Sequence, residues 1–448
     1  MKKLGIMASI AGLAFGSFGS GFSLYEASAL STALGGAVVG EAVDASANFY
    51  NPATLSDLTN VTVTIGFVTE HPRSRIKVNG ESDTKLDPGF FVLPHFQLAV
   101  PLPYDFTFGL GFAPEYGLGT EYGRHWSMDW DSLKTTVEGF TLNPNLSYAI
   151  NDRWSVGAGL RWLYFTFEQT SHPYNDYARL SNHLKGDNDF EDWGWQVGTR
   201  YRLTDDISLG LMYKSEIEAS IRDGRCTTHN RGYDDAAINA TAAQLVEQQC
   251  AMMGIPYAMA VAAGKVSEAA GKVRGEVAKG IAEANGPASA DLELPQSITA
   301  GFNWDIADDW HLGAAFSWTD WSCLDTLTFR LPNGQKPVRL KWQDTYRFCV
   351  APSWDFADDW TAMLSYVYDT DACSSTQDST MLPPGDRHIF SMGLSWRCWK
   401  GLELALSYGI VFMDGTPMHM SGPGGADYEL QSHRGLSHAG GFSVTYRF

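Results

Sequence analysis

The sequence has 448 residues, of which 44% are hydrophobic, 13% aromatic and 19% charged, and its formal net charge is −19. Beyond the first twenty residues, no apolar run approaches the ~18 residues that a membrane-spanning helix requires, which excludes a helical inner-membrane protein. The acidic balance argues against a nucleic-acid partner, because such a surface repels the phosphate backbone. The aromatic content and 45 glycines instead favour a β-protein with aromatic girdles.

The first twenty residues have the three-part layout of a secretory signal peptide. Met1 to Lys3 form a short basic start, residues 4–18 are apolar, and small residues follow. We expect cleavage after Gly19 or Ser20; the alternative interpretation is a buried N-terminal helix. Export predicts a mature chain that begins near Gly21 and lies outside the cytoplasm.

The rest of the chain repeatedly alternates apolar residues with small or polar ones. Residues 402–410 and 154–164 follow this pattern strictly, which predicts strands with one apolar face. The pattern recurs at residues 207–213, 298–304, 310–318, 360–368, 390–396 and 442–448. Aromatic residues stand toward the ends of most apolar faces, which favours lipid-facing barrel strands with a polar lumen over a water-soluble sandwich.

Tight turns rich in Asp and Asn are predicted at six places, because these side chains bond to their own turn backbone. The turns are residues 103–105, 151–153, 204–206, 307–309, 357–359 and 397–401. Six hairpins give twelve strands, and one strand before them (60–70) and one after (427–448) make fourteen. The sequence therefore predicts an all-β protein, a 14-stranded antiparallel transmembrane β-barrel of the bacterial outer membrane, with both termini in the periplasm.

The connection 223–290 differs in composition from the other long loops. Residues 234–285 are rich in Ala, Glu and Lys, which are good helix formers, and Gly254 to Pro256 divide them into two predicted helices. This extracellular insertion is either a solvated cap or a lid or partner-binding element over the pore mouth. Cys226 and Cys250 both lie in it and are candidates for a disulfide in an oxidising exterior.

No set of residues indicates bond chemistry. The sequence has no Gly-rich phosphate loop, no histidine pair at metal-ligand spacing and no convincing nucleophile–base set. Acidic pairs such as Asp308-Asp309 fall in the predicted turns. We therefore expect no catalytic residue, no metal site and no cofactor, and an outer-membrane lipid hydrolase is a minority alternative.

Several short motifs follow one another along the chain. They are residues 21–24, 51–53, 113–122, 143–147, 342–347 and 382–387, which read GFSL, NPA, APEYGLGTEY, NPNLS, WQDTYR and LPPGDR. Their order and spacing resemble the outer-membrane long-chain fatty acid transporter family (FadL-like), which includes channels for toluene and other aromatic hydrocarbons. The resemblance covers nearly the whole mature chain except the insertion. It implies a barrel (60–448) plugged by an N-terminal hatch (21–59).

The resemblance further implies passive uptake of a hydrophobic molecule, with outer-membrane lipid as the surroundings and a monomer as the working unit. Hatch movement and a kink in the third strand would give a side exit into the membrane. Gly109, Gly111 and Pro114 are the candidates for that kink, because glycine and proline weaken ladder pairing. The alternative is an ordinary Gly-rich strand. A general porin for small solutes remains a rival function.

The resemblance also names ligand and hatch residues. Phe22 and Leu24 are the expected N-terminal ligand contacts. Asn51 and Pro52 are expected to shape the hatch rather than to touch the ligand.

Strand parity points four arginines inward. Arg161 and Arg200 are candidates to hold a carboxylate. Arg347 and Arg387 are expected to pair instead with hatch carboxylates such as Glu41 or Asp44. Two positions where the family has basic residues fall near Ser171 and Gln343, which leaves neutral hydrocarbons open as ligands.

Overall fold

The structure is a computed structural model that describes residues 21–81, 83–123, 126–433 and 435–448. The predicted signal peptide, residues 1–20, lies outside the described residues. Fourteen antiparallel strands form the barrel wall: β1 (Thr62–His71), β2 (Phe91–Pro101), β3 (Phe106–Glu121), β4 (Lys134–Ala149), β5 (Trp154–Ser171), β6 (Asp192–Arg202), β7 (Ile207–Lys214), β8 (Ser297–Ala307), β9 (Trp310–Thr319), β10 (Thr345–Ala357), β11 (Trp360–Asp369), β12 (Gly385–Trp399), β13 (Leu402–Gly415) and β14 (Gly435–Arg447).

Each wall strand pairs with the next, and β14 pairs with β1 from Thr62↔Arg447 to His71↔His438, which closes the barrel. The predicted fold class is therefore confirmed. Alternate side chains point outward, as Leu209 and Leu211 do in β7, and these apolar side chains are exposed. Among the described residues, no helix is long and apolar enough to cross a membrane.

Short turns join the strands on one side of the barrel, where the sequence predicts them. In the β2–β3 turn, Tyr104 and Asp105 both have positive φ, at 64° and 62°. The Leu102 N–H donates to the Phe106 carbonyl oxygen at 2.7 Å, so residues 103–105 form the turn, as predicted. Aromatic side chains next to these turns stack across strands, as Trp310 does on Trp354 at 5.4 Å between ring centroids.

Residues 21–59, hereafter the hatch, fill the barrel interior. They contain α1 (Ala29–Ala33), α2 (Ala47–Tyr50) and a 3₁₀-helix (Pro52–Asp57), and every residue of α1 and α2 is buried. Wall side chains bind the hatch backbone directly. Asn303 donates to the Ala37 carbonyl oxygen at 3.1 Å, and Gln196 donates to that of Asn48 at 2.8 Å. These bonds satisfy backbone groups that the hatch cannot pair internally.

The extracellular side carries more strand than the sequence predicts. Outside the wall strands, a separate four-stranded sheet is formed by Ser74–Val78, Thr84–Leu86, Pro417–Ser421 and Asp427–His433. The wall sheet is extended by Ala178–Asp187, Ile217–Tyr233, Gly286–Leu294, Thr326–Leu331 and Gly334–Arg339. The predicted last strand (427–448) is thereby split between two sheets. Partners such as Arg75 and His433 are far apart in sequence, so local periodicity does not reveal their pairing.

The insertion contains three helices rather than two: α3 (Asp235–Met253), α4 (Tyr257–Ala262) and α5 (Lys265–Glu283). The predicted disulfide is wrong, because the Cys226 and Cys250 thiols are both free. Cys226 lies in the strand Ile217–Tyr233, whereas Cys250 lies fifteen residues into α3.

Inward-facing glycines of the wall mark the places where the hatch touches it. A Cβ atom on Gly210 would stand 2.0 Å from the Val39 carbonyl oxygen, and one on Gly157 would stand 2.5 Å from the Ala53 nitrogen. Both obstacles are backbone atoms, so a side-chain rotation does not relieve the clash. The absence of a side chain at these wall positions therefore lets the hatch sit against the strands.

We expect Gly210→Ala to destabilise the folded protein by about 1–3 kcal/mol, because the new methyl group must push the hatch away from β7. The measurement is the free energy of unfolding in urea for protein folded into phospholipid vesicles. The matched control is Gly271→Ala in α5, where a Cβ atom meets nothing within 4 Å. Equal stability of the two variants would contradict this account of the hatch contact.

Candidate functional site

The barrel wall has a gap between β2 and β3. These strands pair only from Phe96↔Phe112 to Pro101↔Thr107. Beyond that, residues 91–95 of β2 continue to pair with β1, and residues 113–121 of β3 continue to pair with β4. Among the described residues, no ladder pair joins these two facing edges. We call the gap between them the window.

The window closes again at its extracellular end. There the Asp87 N–H donates to the Glu121 carbonyl oxygen at 3.2 Å, and Leu86 forms a bridge with Tyr122. At the other end Pro114 lies opposite Phe140, which in turn lies opposite Tyr164. Two residues from Tyr164 on β5, in the direction of the short turns, is Trp162, which is exposed. The window therefore begins at the level of the extracellular aromatic residues of the outer surface.

The start of the hatch occupies the window. The Leu24 N–H donates to the Glu115 carbonyl oxygen at 2.9 Å, and the Gly117 N–H donates to that of Phe22 at 2.8 Å. Ser23 forms an antiparallel bridge with Tyr116. Residues 22–24 thus pair with the edge of β3 that β2 leaves free.

Phe22 anchors this segment on the extracellular side. Its ring contacts Trp321, Trp342 and Tyr116 at centroid distances of 4.6, 5.7 and 6.0 Å, in edge-to-face arrangements. All four rings are buried in one apolar cluster. Each such aromatic pair contributes about 0.5–1.5 kcal/mol beyond its buried area.

The irregularity in β3 lies further along the strand than the predicted kink. Gly109 and Gly111 are in regular register, opposite Ala99 and Gln97 of β2. The ladder with β4 shifts between Pro114 and Tyr116, so Glu115 is the extra residue of a β-bulge. The kink prediction is therefore wrong for the two glycines, whose missing side chains leave room for neighbouring polar side chains.

A small cavity of ≈ 50 Å³ lies beside the window and the hatch. Its wall includes apolar and aromatic side chains together with three basic ones: Leu24, Tyr25, Tyr50, Met212, Arg161, Lys214 and Arg347. A cavity of this size has room for about three or four water molecules. A larger ligand therefore requires part of the hatch to move.

Glu115 joins two of these basic side chains. Its carboxylate lies 2.9 Å from Nη2 of Arg161 and 2.7 Å from Nζ of Lys214. Arg161 also donates to the Ser215 carbonyl oxygen at 2.7 Å and to the Tyr116 hydroxyl at 3.2 Å. Arg161 and Glu115 are only 1% and 4% exposed. Burial and charge-assisted bonds hold this cluster in one arrangement.

The expected pairing of Arg347 with Glu41 or Asp44 is wrong. Arg347 forms an ion pair with Asp369 at 3.3 Å, and the two residues lie directly opposite each other on β10 and β11. A cross-strand neighbour is held in reach by the ladder itself. Its guanidinium also lies 4.2 Å from the ring centre of Tyr25.

The two hatch carboxylates have other surroundings. Asp44 accepts from the Ser46 N–H at 2.8 Å, and Glu41 is exposed. Among the described residues, neither carboxylate forms an ion pair with an arginine, so the expectation is wrong for Arg387 as well. Arg387 donates to the Gly21 carbonyl oxygen at 3.4 Å, at the start of the hatch.

Arg200 lies away from the cavity. It forms an ion pair with Asp57 of the 3₁₀-helix, and Arg202 stands 3.8 Å from the same carboxylate. Arg200 therefore fastens the end of the hatch to β6. Of the two arginines expected to hold a carboxylate, only Arg161 lines the cavity.

Asn51 and Pro52 shape the hatch. Asn51 caps the 3₁₀-helix by accepting from the Ala53 N–H at 3.1 Å, and it donates to the Val39 and Thr199 carbonyl oxygens at 2.8 and 3.1 Å. Pro52 is the first residue of that helix, where its missing N–H costs no hydrogen bond.

Two residues of this site, Glu115 and Lys214, were not predicted from the sequence. Glu115 stands inside APEYGLG, where Phe112, Tyr116 and Leu118 keep their even-numbered spacing, so the bulge leaves no break in the alternation of the sequence. Lys214 is the last residue of β7 and showed no local signal. Glu115 pairs across the lumen with both Arg161 and Lys214, and no hairpin register predicts these contacts.

Known proteins resemble this chain over its whole length. The family model described as outer membrane protein transport protein (OMPP1/FadL/TodX) matches residues 10–448. The chain is 24% identical to the long-chain fatty acid transport protein of Escherichia coli O6:H1, with 100% of this chain and 98% of the relative covered. It is 22% identical to outer membrane protein P1 of Haemophilus influenzae, with 94% and 92% covered.

Two solved structures have the same fold. A Pseudomonas aeruginosa FadL homologue has a TM-score of 0.77 at 18% identity, covering 96% of this chain and 100% of that one. The Pseudomonas putida toluene transporter TodX has a TM-score of 0.65 at 15% identity, covering 95% and 99%.

The family match and the closed barrel agree on where the protein is located and on its functional class. The barrel lies in the bacterial outer membrane, and the family is one of transport proteins rather than of hydrolases. The chain belongs to the OMPP1/FadL/TodX family of outer-membrane transport proteins.

Proposed function

We propose that this protein takes up hydrophobic molecules, long-chain fatty acids or related hydrocarbons, passively through its cavity and releases them sideways into the outer membrane. The window between β2 and β3 is the observation that carries the proposal. The relatives named long-chain fatty acid transport protein and toluene transporter support the choice of ligand class.

The window suits an apolar molecule. Leu24, Phe91, Leu93 and Ala113 belong to one buried apolar cluster on its inner side, so a hydrocarbon chain that leaves the cavity there stays among apolar groups. Each square ångström of apolar surface kept from water contributes about 25 cal/mol. A sideways path therefore avoids the cost of crossing the periplasmic end in water.

The part of the hatch that moves is the start, residues 22–24. Two backbone hydrogen bonds, which together make the bridge between Ser23 and Tyr116, tie these residues to β3. Each such bond contributes about 1 kcal/mol net. The later hatch is held by many wall contacts, including those of Asn51, Asn303 and Arg200. Release of the start alone breaks these two bonds and the aromatic contacts of Phe22, and it leaves the later hatch in place.

A general porin is the weaker candidate. The hatch fills the lumen, and wall side chains occupy its backbone groups from Ala37 to Ala53. A hydrophilic solute would have to break these bonds to pass along the barrel axis. The ligand therefore leaves through the wall rather than through the hatch.

Expression of the protein should raise uptake of radiolabelled oleate in a bacterial host from which its own fatty acid channel has been deleted. Entry of a radiolabelled disaccharide should stay at the level of cells with an empty vector. The control for surface level is the amount of folded barrel in the outer membrane, measured by its heat-dependent mobility in electrophoresis. Faster disaccharide entry with unchanged oleate uptake would identify a porin instead.

A further inference from the structure

The cluster around Glu115 carries more positive than negative charge. Two cations, Arg161 and Lys214, share one carboxylate at the edge of the cavity. Among the described residues, Glu115 is the one carboxylate within ion-pair distance of either cation. Arg347, the third cation of the cavity wall, is already paired with Asp369. The cluster of Glu115, Arg161 and Lys214 therefore has one positive charge more than its own carboxylate balances.

A buried cation without a full partner is costly, because it has given up water without gaining an equivalent counter-charge. Lys214 stands 3.5 Å from the ring centre of Phe49, a contact that stabilises its ammonium only in part. An additional carboxylate on Arg161 and Lys214 would satisfy both groups. Both face the cavity, so such a group can reach them from inside the barrel.

Glu115 also holds the hatch in the window. Its side chain occupies the two cations, and its carbonyl oxygen accepts from the Leu24 N–H at 2.9 Å. Because Glu115 is the extra residue of the bulge, its backbone is free of the ladder with β4. The ion pairs therefore fix the position of the carbonyl group to which the hatch is bound.

We propose that Glu115 is a displaceable internal carboxylate: the anionic group of a ligand takes Arg161 and Lys214 from it, and the freed bulge releases residues 22–24 from the window. This inference rests on the proposed function and adds a coupling to it. A ligand with an anionic head group thus releases residues 22–24 and opens the window, whereas a neutral ligand of equal length leaves these residues bound in it.

The test compares dodecanoate with methyl dodecanoate, which has the same chain without the charge. In Glu115→Gln the competitor loses its charge, so dodecanoate should bind about tenfold more tightly than to the wild-type protein. The affinity for methyl dodecanoate should not change. The measurement is calorimetric titration of protein in lipid nanodiscs. The matched control is Glu121→Gln, on the same strand, whose partner Lys134 lies outside the cavity.

A second variant changes the cations instead. In Lys214→Met, Arg161 and Glu115 balance each other, so the affinity for dodecanoate should fall about tenfold while that for the methyl ester stays constant. Heat-dependent electrophoretic mobility checks that each variant is folded. Lys214→Met tests the same charge balance if Glu115→Gln does not fold.

Release of the hatch is read out separately. In a Leu24→Cys variant, dodecanoate should speed the labelling of residue 24 by N-ethylmaleimide, and methyl dodecanoate should not. With Glu115→Gln added, labelling should be fast without any ligand. Peptide mass spectrometry separates this site from the native cysteines.

Two results overturn the inference in different ways. Equal ratios of acid to ester affinity in the wild-type, Glu115→Gln and Lys214→Met proteins would refute the competition and leave the proposed function standing. Failure of both dodecanoate and its ester to bind the wild-type protein would refute the inference and the proposed function together.

Discussion

A disulfide between cysteines at positions 23 and 116 should stop oleate uptake, and reduction should restore it. Ser23 and Tyr116 form an antiparallel bridge, so their Cα atoms are about 4.5–5.5 Å apart. A disulfide spans that distance. The bond in Ser23→Cys/Tyr116→Cys fixes residues 22–24 in the window, and uptake should fall to the level of cells that lack the protein.

The cross-link is made in a Cys323→Ser background, because the native Cys323 thiol lies near Tyr116. Ser23→Cys and Tyr116→Cys alone, treated with the same oxidant, control for the loss of the two native side chains. The readout is the initial rate of oleate uptake before and after reduction. Wild-type uptake by a fully cross-linked protein would show that the ligand does not pass through the window.

The strands of the barrel wall were predictable from the sequence because each has its own alternation of apolar and other residues. In a wall strand, apolar residues recur at every second position, as in residues 402–410. A turn such as Asn151-Asp152-Arg153 is indicated by its Asn and Asp side chains, which bond to the turn backbone. Counting turns then gives the number of strands. None of these steps requires knowledge of which distant residues meet.

The ion pairs depend on strand register, so the sequence alone did not predict them. Arg347 and Asp369 belong to one hairpin, but counting outward from the turn at residues 358–359 places Arg347 opposite Thr370. The register shift between Asp355 and Ala357 brings it opposite Asp369 instead. Glu115, Arg161 and Lys214 instead come from β3, β5 and β7, which are not neighbours. Their meeting depends on the curvature of the barrel and on the bulge at Glu115, and neither is a local property of the sequence.

The contacts between the hatch and the wall were not predictable for the same reason: they join residues that are distant in the sequence. The wall glycines could be counted in the sequence, but an inward Gly such as Gly210 has meaning only once Val39 is known to lie against it. The resemblance to the family supplied the hatch, and the structure supplies its contacts. Residues that fit the hatch and residues that fit the ligand therefore look alike in the sequence, which is why Arg161 and Arg200 were grouped together.

Arg161→Met should destabilise the folded barrel by about 3–5 kcal/mol, because it breaks a buried ion pair and leaves Glu115 with one partner. The Ser215 carbonyl oxygen and the Tyr116 hydroxyl lose their donor at the same time. The measurement is the free energy of unfolding in urea for protein folded into phospholipid vesicles. The matched control is Arg222→Met, whose exposed pair with Glu191 should contribute no more than about 1 kcal/mol.

A second substitution separates charge from packing in the Arg161 result. Glu115→Gln in the Arg161→Met background removes the uncompensated carboxylate, so part of the lost stability should return. No recovery would mean that Arg161 acts through the Ser215 and Tyr116 contacts, and that the ion pair itself contributes little. Equal losses in Arg161→Met and Arg222→Met would contradict the buried cluster altogether, since the exposed pair of Arg222 with Glu191 contributes little.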